Sequence, residues 1–175
     1  LVTTTTTHKA YIGVPLATHS AKARGDILES VARRVMEEKT AGETAYDPPS
    51  GKCTNGTKRG RKQQTCDFMI ANRRVEVKSA QLSWDSHRGW VATWQNVKRD
   101  AYDELLLVLY TPFGVHMYLH DHTFGVTTSG KAQHVLGGRV KVNGPRNEPS
   151  ITAAYDAILE KMQSMQYAHL AHDRV

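Results

Sequence analysis

"TCDFMIANRRVEVKSAQLSW", residues 65–84, decides how this chain is read. Two runs rich in β-branched and apolar residues flank the polar break Asn72-Arg73. Between them they carry Asp67, Glu76 and Lys78, residue types that are poor choices for strands with a buried face. A two-residue turn at Asn72-Arg73 would pair Ala71 with Arg74, Met69 with Glu76 and Asp67 with Lys78, since Asn tolerates left-handed backbone. Side chains directly opposite share a face. Asp67, Met69, Arg74, Glu76 and Lys78 therefore fall on one side, with Phe68, Ile70, Val75 and Val77 on the other. In that register Asp67 faces Lys78 and stands diagonal to Glu76, about 7–8 Å away, within reach of one shared cation.

Two carboxylates at the rim of a sheet suit a hard divalent ion, normally Mg²⁺, which takes oxygen ligands and keeps several waters. Such an ion lowers the pKa of bound water and stabilises charge building on a phosphate. A lysine beside it orients or deprotonates the attacking water, or neutralises the transition state. A surface salt bridge is the plain alternative for an isolated E-x-K on a strand. It loses ground because the acid across the hairpin falls on the same face and the chain is basic, with net charge +6 and pI near 9.4. A basic balance favours polyanions through phosphate contacts.

The set Asp67 … Glu76-x-Lys78 on a hairpin resembles the PD-(D/E)XK nuclease superfamily, which includes most type II restriction endonucleases. Cys66 stands where the superfamily usually has proline. The resemblance covers roughly residues 20–120. It implies an α/β (α+β) fold with a central mixed sheet flanked by helices. It also implies Mg²⁺, with Mn²⁺ as a substitute, held by Asp67, Glu76 and the Val77 carbonyl. Lys78 would act on water, with Glu29 on the preceding helix and Gln95 at the start of the next one in support. The expected reaction is in-line hydrolysis of double-stranded DNA to 5′-phosphate and 3′-hydroxyl ends, by a homodimer on a palindromic site. A structure-selective nuclease, of junction-resolving or repair type, would share this active site. A DNA-binding protein without catalysis would gain nothing from two acids facing phosphates.

Outside the hairpin, residues 1–19 read as an arm with a short strand at Ala10–Val14. Residues 21–39 read as a helix with an apolar stripe of Ile27, Leu28, Val31, Val35 and Met36, capped by Thr18 or Ser20. Residues 40–64 are loop, with at most a short strand at Glu43–Tyr46. Lys52, Lys58, Arg59, Arg61 and Lys62 crowd into eleven positions there, as donors for a DNA backbone. Trp90, Ala92 and Trp94 alternate with Val91, Thr93 and Gln95 on a strand, and the tryptophans read as a packed face rather than base-stacking groups. "QNVKRDAYDE" predicts a short helix that brings Lys98 near the site, and "LLLVLY" a buried strand. "VHMYLH" alternates as a half-buried strand. Its spaced histidines, His116 and His120, with His122 beyond, suggest such a strand more than a zinc site.

Residues 121–149 look loop-dominated, with a strand at Arg139–Val142, and form a candidate DNA-recognition region. Lys131, Arg139, Lys141 and Arg146 would donate to guanine, and Asn143 and Asn147 to adenine. Residues 150–175 read as a terminal helix with Ile151, Ala154, Tyr155, Ile158, Leu159, Met162 and Met165 as its stripe. No internal repeat or domain boundary is visible, so 1–175 reads as one nuclease domain. Cys53 and Cys66 are too few for a disulfide scaffold and match no zinc spacing, which suits reduced thiols. The longest apolar run, Leu105–Tyr110, cannot span a bilayer, and no charged-then-apolar leader opens the chain. An intracellular protein without membrane contact is expected. The chain opens at Leu1 rather than Met, leaving room for residues upstream.

Overall fold

The computed structural model describes residues 9–48, 66–97, 102–120, 126–127, 138–164 and 168–173. The basic run Lys52, Lys58, Arg59, Arg61 and Lys62 lies outside the described residues, as do Lys98, Lys131, His122 and Cys53. Among the described residues the chain builds two sheets and two α-helices. The class is α+β, as expected, and the central mixed sheet is accompanied by a second sheet.

Helix α1 (Ala21–Lys39) has the expected limits. Ser20 caps it, its hydroxyl accepting the Ala23 N–H at 3.2 Å, and Gly42 follows at φ 80°. Leu28, Ala32 and Met36 form its buried stripe, with Val31 and Val35 at the flanks. Ile27 is 37% exposed, so the stripe runs about one residue round the helix from the expected one. The segment before it forms short 3₁₀ turns at Lys9–Tyr11 and Pro15–Thr18, not a strand. Gly13 at φ 81° and Pro15 break any extended run there. Near Glu43–Tyr46 there is only an isolated bridge, Tyr46 to Met69.

The first sheet is mixed, with strand order β1-β2-β5-β6-β9. β1 (Phe68–Ile70) and β2 (Arg73–Gln81) form the hairpin, and β2 runs parallel to β5 (Glu104–Thr111). β5 pairs antiparallel with β6 (Gly114–Leu119), which pairs antiparallel with β9 (Ala168–Asp173). The second sheet is antiparallel, in the order β3-β4-β8-β7. It contains β3 (Ser83–Asp85), β4 (Gly89–Val97), β7 (Val126–Thr127) and β8 (Gly138–Asn143).

All eight residues of β5 are buried, because helix α1 covers one face and the second sheet with helix α2 (Ile151–Ser164) covers the other. A strand covered on both sides reads as a continuous apolar run. Leu106, Val108 and Tyr110 pack toward Leu28 and Met36. Leu105, Leu107 and Leu109 pack toward Trp90, Trp94 and Ile158. Trp94 also donates its indole N–H to the Val108 carbonyl at 3.0 Å, tying the sheets together. Trp90, Ala92 and Trp94 are the buried face of β4, as their alternation indicates.

β6 is buried on both faces rather than half-exposed. His116 is a core residue whose Nε2 lies 2.7 Å from the Tyr155 hydroxyl of α2. Tyr118, enclosed beside it, has its phenol pushed up to about 12 by desolvation and by Tyr155. The polar tips of these side chains make the strand look solvent-facing in sequence, while their rings fill a core. On α2, Ala154, Ile158 and Met162 are buried, with Ile151, Tyr155 and Leu159 packed alongside. The helix is described to Ser164, Met165 lies outside the described residues, and Ala168–Asp173 form strand β9 where a helix was expected. The strand expected at Arg139–Val142 is β8, and Val126–Thr127 adds the short β7. Among the described residues, no helix is long and apolar enough to cross a membrane.

Candidate active site

The hairpin turn sits one residue earlier than the sequence reading placed it. Ala71 (φ 46°) and Asn72 (φ 59°) are its central residues, and Ile70 pairs with Arg73, Met69 with Arg74 and Phe68 with Val75. Positive φ at both central positions is what a type I′ turn requires. Taking Ala71 into the turn spares the larger Arg73 that conformation. Moving a two-residue turn by one position shifts the pairing by two, so no side chain changes face. Phe68, Ile70 and Val75 are buried toward α1, and Met69, Arg74, Glu76 and Lys78 share the other side. What changes is who stands opposite whom: Met69 faces Arg74, not Glu76.

Asp67 lies just before β1, and its position follows from two hydrogen bonds. Its N–H donates to the Val75 carbonyl at 2.8 Å, and its carboxylate Oδ2 accepts the Val77 N–H at 2.7 Å. Asp67 thus grips β2 on both sides of Glu76. Glu76 is buried (8% exposed) and its Oε1 accepts a hydrogen bond from the Lys78 ammonium in a close ion pair. In an extended strand one residue's N–H and C=O point to the same edge. The Val77 carbonyl therefore faces the edge that Asp67 occupies. The Asp67 carboxylate thus lies on β2 beside Val77, the residue that follows Glu76. Among the described residues no group of three or more His, Cys, Asp or Glu side chains comes together for a metal. Cys66, preceding Asp67, is buried, with its Sγ 3.9 Å from the Met69 sulfur.

The hairpin is fastened to β5 by Arg74 and Asp103. The Arg74 guanidinium reaches the Asp103 carboxylate at 2.9 and 3.2 Å, and the Arg74 N–H donates to the same group at 2.8 Å. These hydrogen bonds, first from the side chain and then from the main chain, hold the Asp103 carboxyl at about 2.

Beyond Val77, β2 outruns β1 and lines a cleft of about 750 Å³. Its floor is Val77–Gln81, one side is Ala21, Arg24 and Leu28 of α1, and the other is the second sheet. From that sheet come Ser83, Asp85, Arg88, Val91, Thr93, Gln95, Asn96, Arg139 and Lys141. The lining thus holds five cations (Arg24, Lys78, Arg88, Arg139, Lys141) against one acid, Asp85. Lys141 has its pKa lowered by desolvation and then by Arg88 and Arg139, as expected where like charges crowd. The Asp85 carboxyl is held down, mainly by the His87 N–H and further by Arg88 and Lys141. The excess of cations gives the cleft a positive potential.

Of the residues singled out from sequence, Lys78, Val77, Gln95, Arg139 and Lys141 line this cleft, and Asp67 and Glu76 adjoin it through Val77. Glu29 is half-buried on α1 next to Leu28 but is not part of the lining. Gln95 is on strand β4, not at the start of a helix, which corrects the expected segment over Gln95–Val97. Asn143, Arg146 and Asn147 are exposed outside the cleft, and the Asn143 carbonyl accepts the Lys161 ammonium at 2.5 Å. Arg24 and Arg88 were missed. Nothing in local sequence marks them, because α1 and the β3–β4 turn meet only through the tertiary fold.

No family model and no curated protein matches the chain. Among solved structures, a bacterial homing endonuclease, I-Ssp6803I, aligns with 84% of this chain and 92% of its own. The identity is 15% and the TM-score 0.39, a likeness too distant to carry an argument.

Proposed function

We propose that this protein is a Mg²⁺-dependent endonuclease acting on double-stranded DNA. The observation that carries the reading is the grip of Asp67 on β2 either side of buried Glu76, which pairs with Lys78, at the edge of a cationic cleft. Burying a glutamate costs folding energy, and a buried ion pair is weak evidence of a stabilising role. Its retention beside a second carboxylate is better explained by chemistry than by stability.

Asp67, Glu76 and the Val77 carbonyl would hold the ion, which when bound lowers the pKa of water and offsets charge on the phosphate. The Val77 N–H fixes the direction of the Asp67 carboxylate through Oδ2. Lys78 shares the face of Glu76 and lines the cleft, and its ammonium would stabilise charge developing on the scissile phosphate. Arg24, Arg88, Arg139 and Lys141 would hold the polyanion along the cleft. A twofold dimer would give a symmetric double-strand cut.

Substituting Glu76→Gln tests the assignment, since it keeps size and hydrogen bonding while removing the charge. Cleavage should fall by a factor of about 10² or more, with duplex binding retained. Wild-type cutting by this variant would overturn the site.

A further inference from the structure

We infer that the bulged ribbon β4–β8 is the base-reading element of the cleft, with Gln95, Asn96, Arg139 and Lys141 as its readers. The inference rests on the DNA reading above and adds which surface confers sequence preference. β4 and β8 pair regularly from Val91↔Asn143 to Trp94↔Val140, then resume at Val97↔Gly138. Three steps on β4 match two on β8, so Gln95 and Asn96 together oppose Arg139. The extra residue is a β-bulge, and Asn96 takes φ 60° to make it.

In a regular strand Asn96 would follow Trp94 into the core. Instead Trp94 and Val97 are buried, while Gln95 and Asn96 are both exposed and both line the cleft. Positive φ outside glycine is a conformational cost that tends to persist where geometry is used. Here it brings two consecutive amides to the surface that also carries Arg139 and, opposite Thr93, Lys141. A two-stranded ribbon fits the DNA major groove, where Gln and Asn pair with adenine and Arg and Lys with guanine. Asn143 and Arg146 are exposed but outside the cleft, and are not part of this reader.

The test uses a random-sequence duplex library with the full-length wild type, Asn96→Gly and Lys141→Ala in Mg²⁺. Glycine deletes the amide while still accepting positive φ, and melting curves confirm that each variant is folded. Each variant should lose about tenfold to hundredfold discrimination at one or two base pairs of the cut-site profile. Folded variants with the wild-type profile, or with uniform weakening on all sequences, would overturn the inference and leave the nuclease reading standing. If the wild type does not cut, the same library is selected for binding in Ca²⁺. A motif that both variants blur would then support the ribbon as reader while sinking the cleavage reading. No wild-type motif, or one that both variants keep, would sink the inference.

Discussion

The carboxylate of Asp67 accepts the main-chain N–H of Val77 at 2.7 Å, across the end of the hairpin that carries Glu76 between Val75 and Val77. This bond sets the direction of one carboxylate, and the strand itself sets the other. Asp67→Asn should therefore keep a hydrogen bond to Val77 through its amide oxygen. It should lose Mg²⁺ affinity, so that cleavage falls about 10²-fold at low Mg²⁺ and recovers partly at high Mg²⁺. Titration of cleavage against Mg²⁺ checks this, and an unchanged midpoint would remove Asp67 from the metal site.

Lys78 and Glu76 form an ion pair with both side chains largely out of solvent. Lys78→Ala should lower cleavage by about 10²-fold or more, as loss of a preorganised charge does at other sites. Mg²⁺ should bind at least as tightly as before, since Glu76 no longer shares its charge with an ammonium. Calorimetry on the folded variant reads the affinity separately from the rate. Weakened Mg²⁺ binding would mean that Lys78 organises the ligands instead.

Asp103 gives a pH signature in stability. Its folded pKa, about 2, lies below the ordinary 3.8, so its contribution is present above about pH 4 and lost as pH falls toward 2. The pair with Arg74 is solvent-screened, which keeps that contribution below about 1 kcal/mol. Asp103→Asn should melt lower than wild type at pH 6, with the difference shrinking as pH falls toward 2. A difference that did not shrink over that range would rule the carboxylate charge out.

The face partition of the hairpin was legible from Phe68, Ile70 and Val75 alone, because strand periodicity survives any even shift in register. The register was not, because the turn is set by which residue accepts positive φ, and Ala71 is an unexpected choice beside Asn72. Helix α1 was legible to its ends, since Ser20 and Gly42 punctuate its stripe. β6 was not, because His116 and Tyr118 carry polar tips that find burial only when α2 packs against them. The acids and Lys78 were visible as a pattern of charge on a strand. The cleft that would receive substrate was only partly visible, because Arg24, Arg88 and Lys141 come from three distant segments.

The turn supplies a stability prediction. Ala71 holds φ 46° against its own Cβ. Ala71→Gly should relieve that strain and raise stability by about 0.5–1 kcal/mol, read by urea denaturation, without altering the register. A destabilised Ala71→Gly would show that the turn is not strained.

The most direct measurement incubates purified protein with an unmethylated plasmid of known sequence, in Mg²⁺ and in EDTA, and resolves the products on a gel. Discrete bands that appear only with Mg²⁺, with 5′-phosphate ends, are the predicted result. An intact plasmid in Mg²⁺ and in Mn²⁺, with the protein folded and bound to it, would contradict the account.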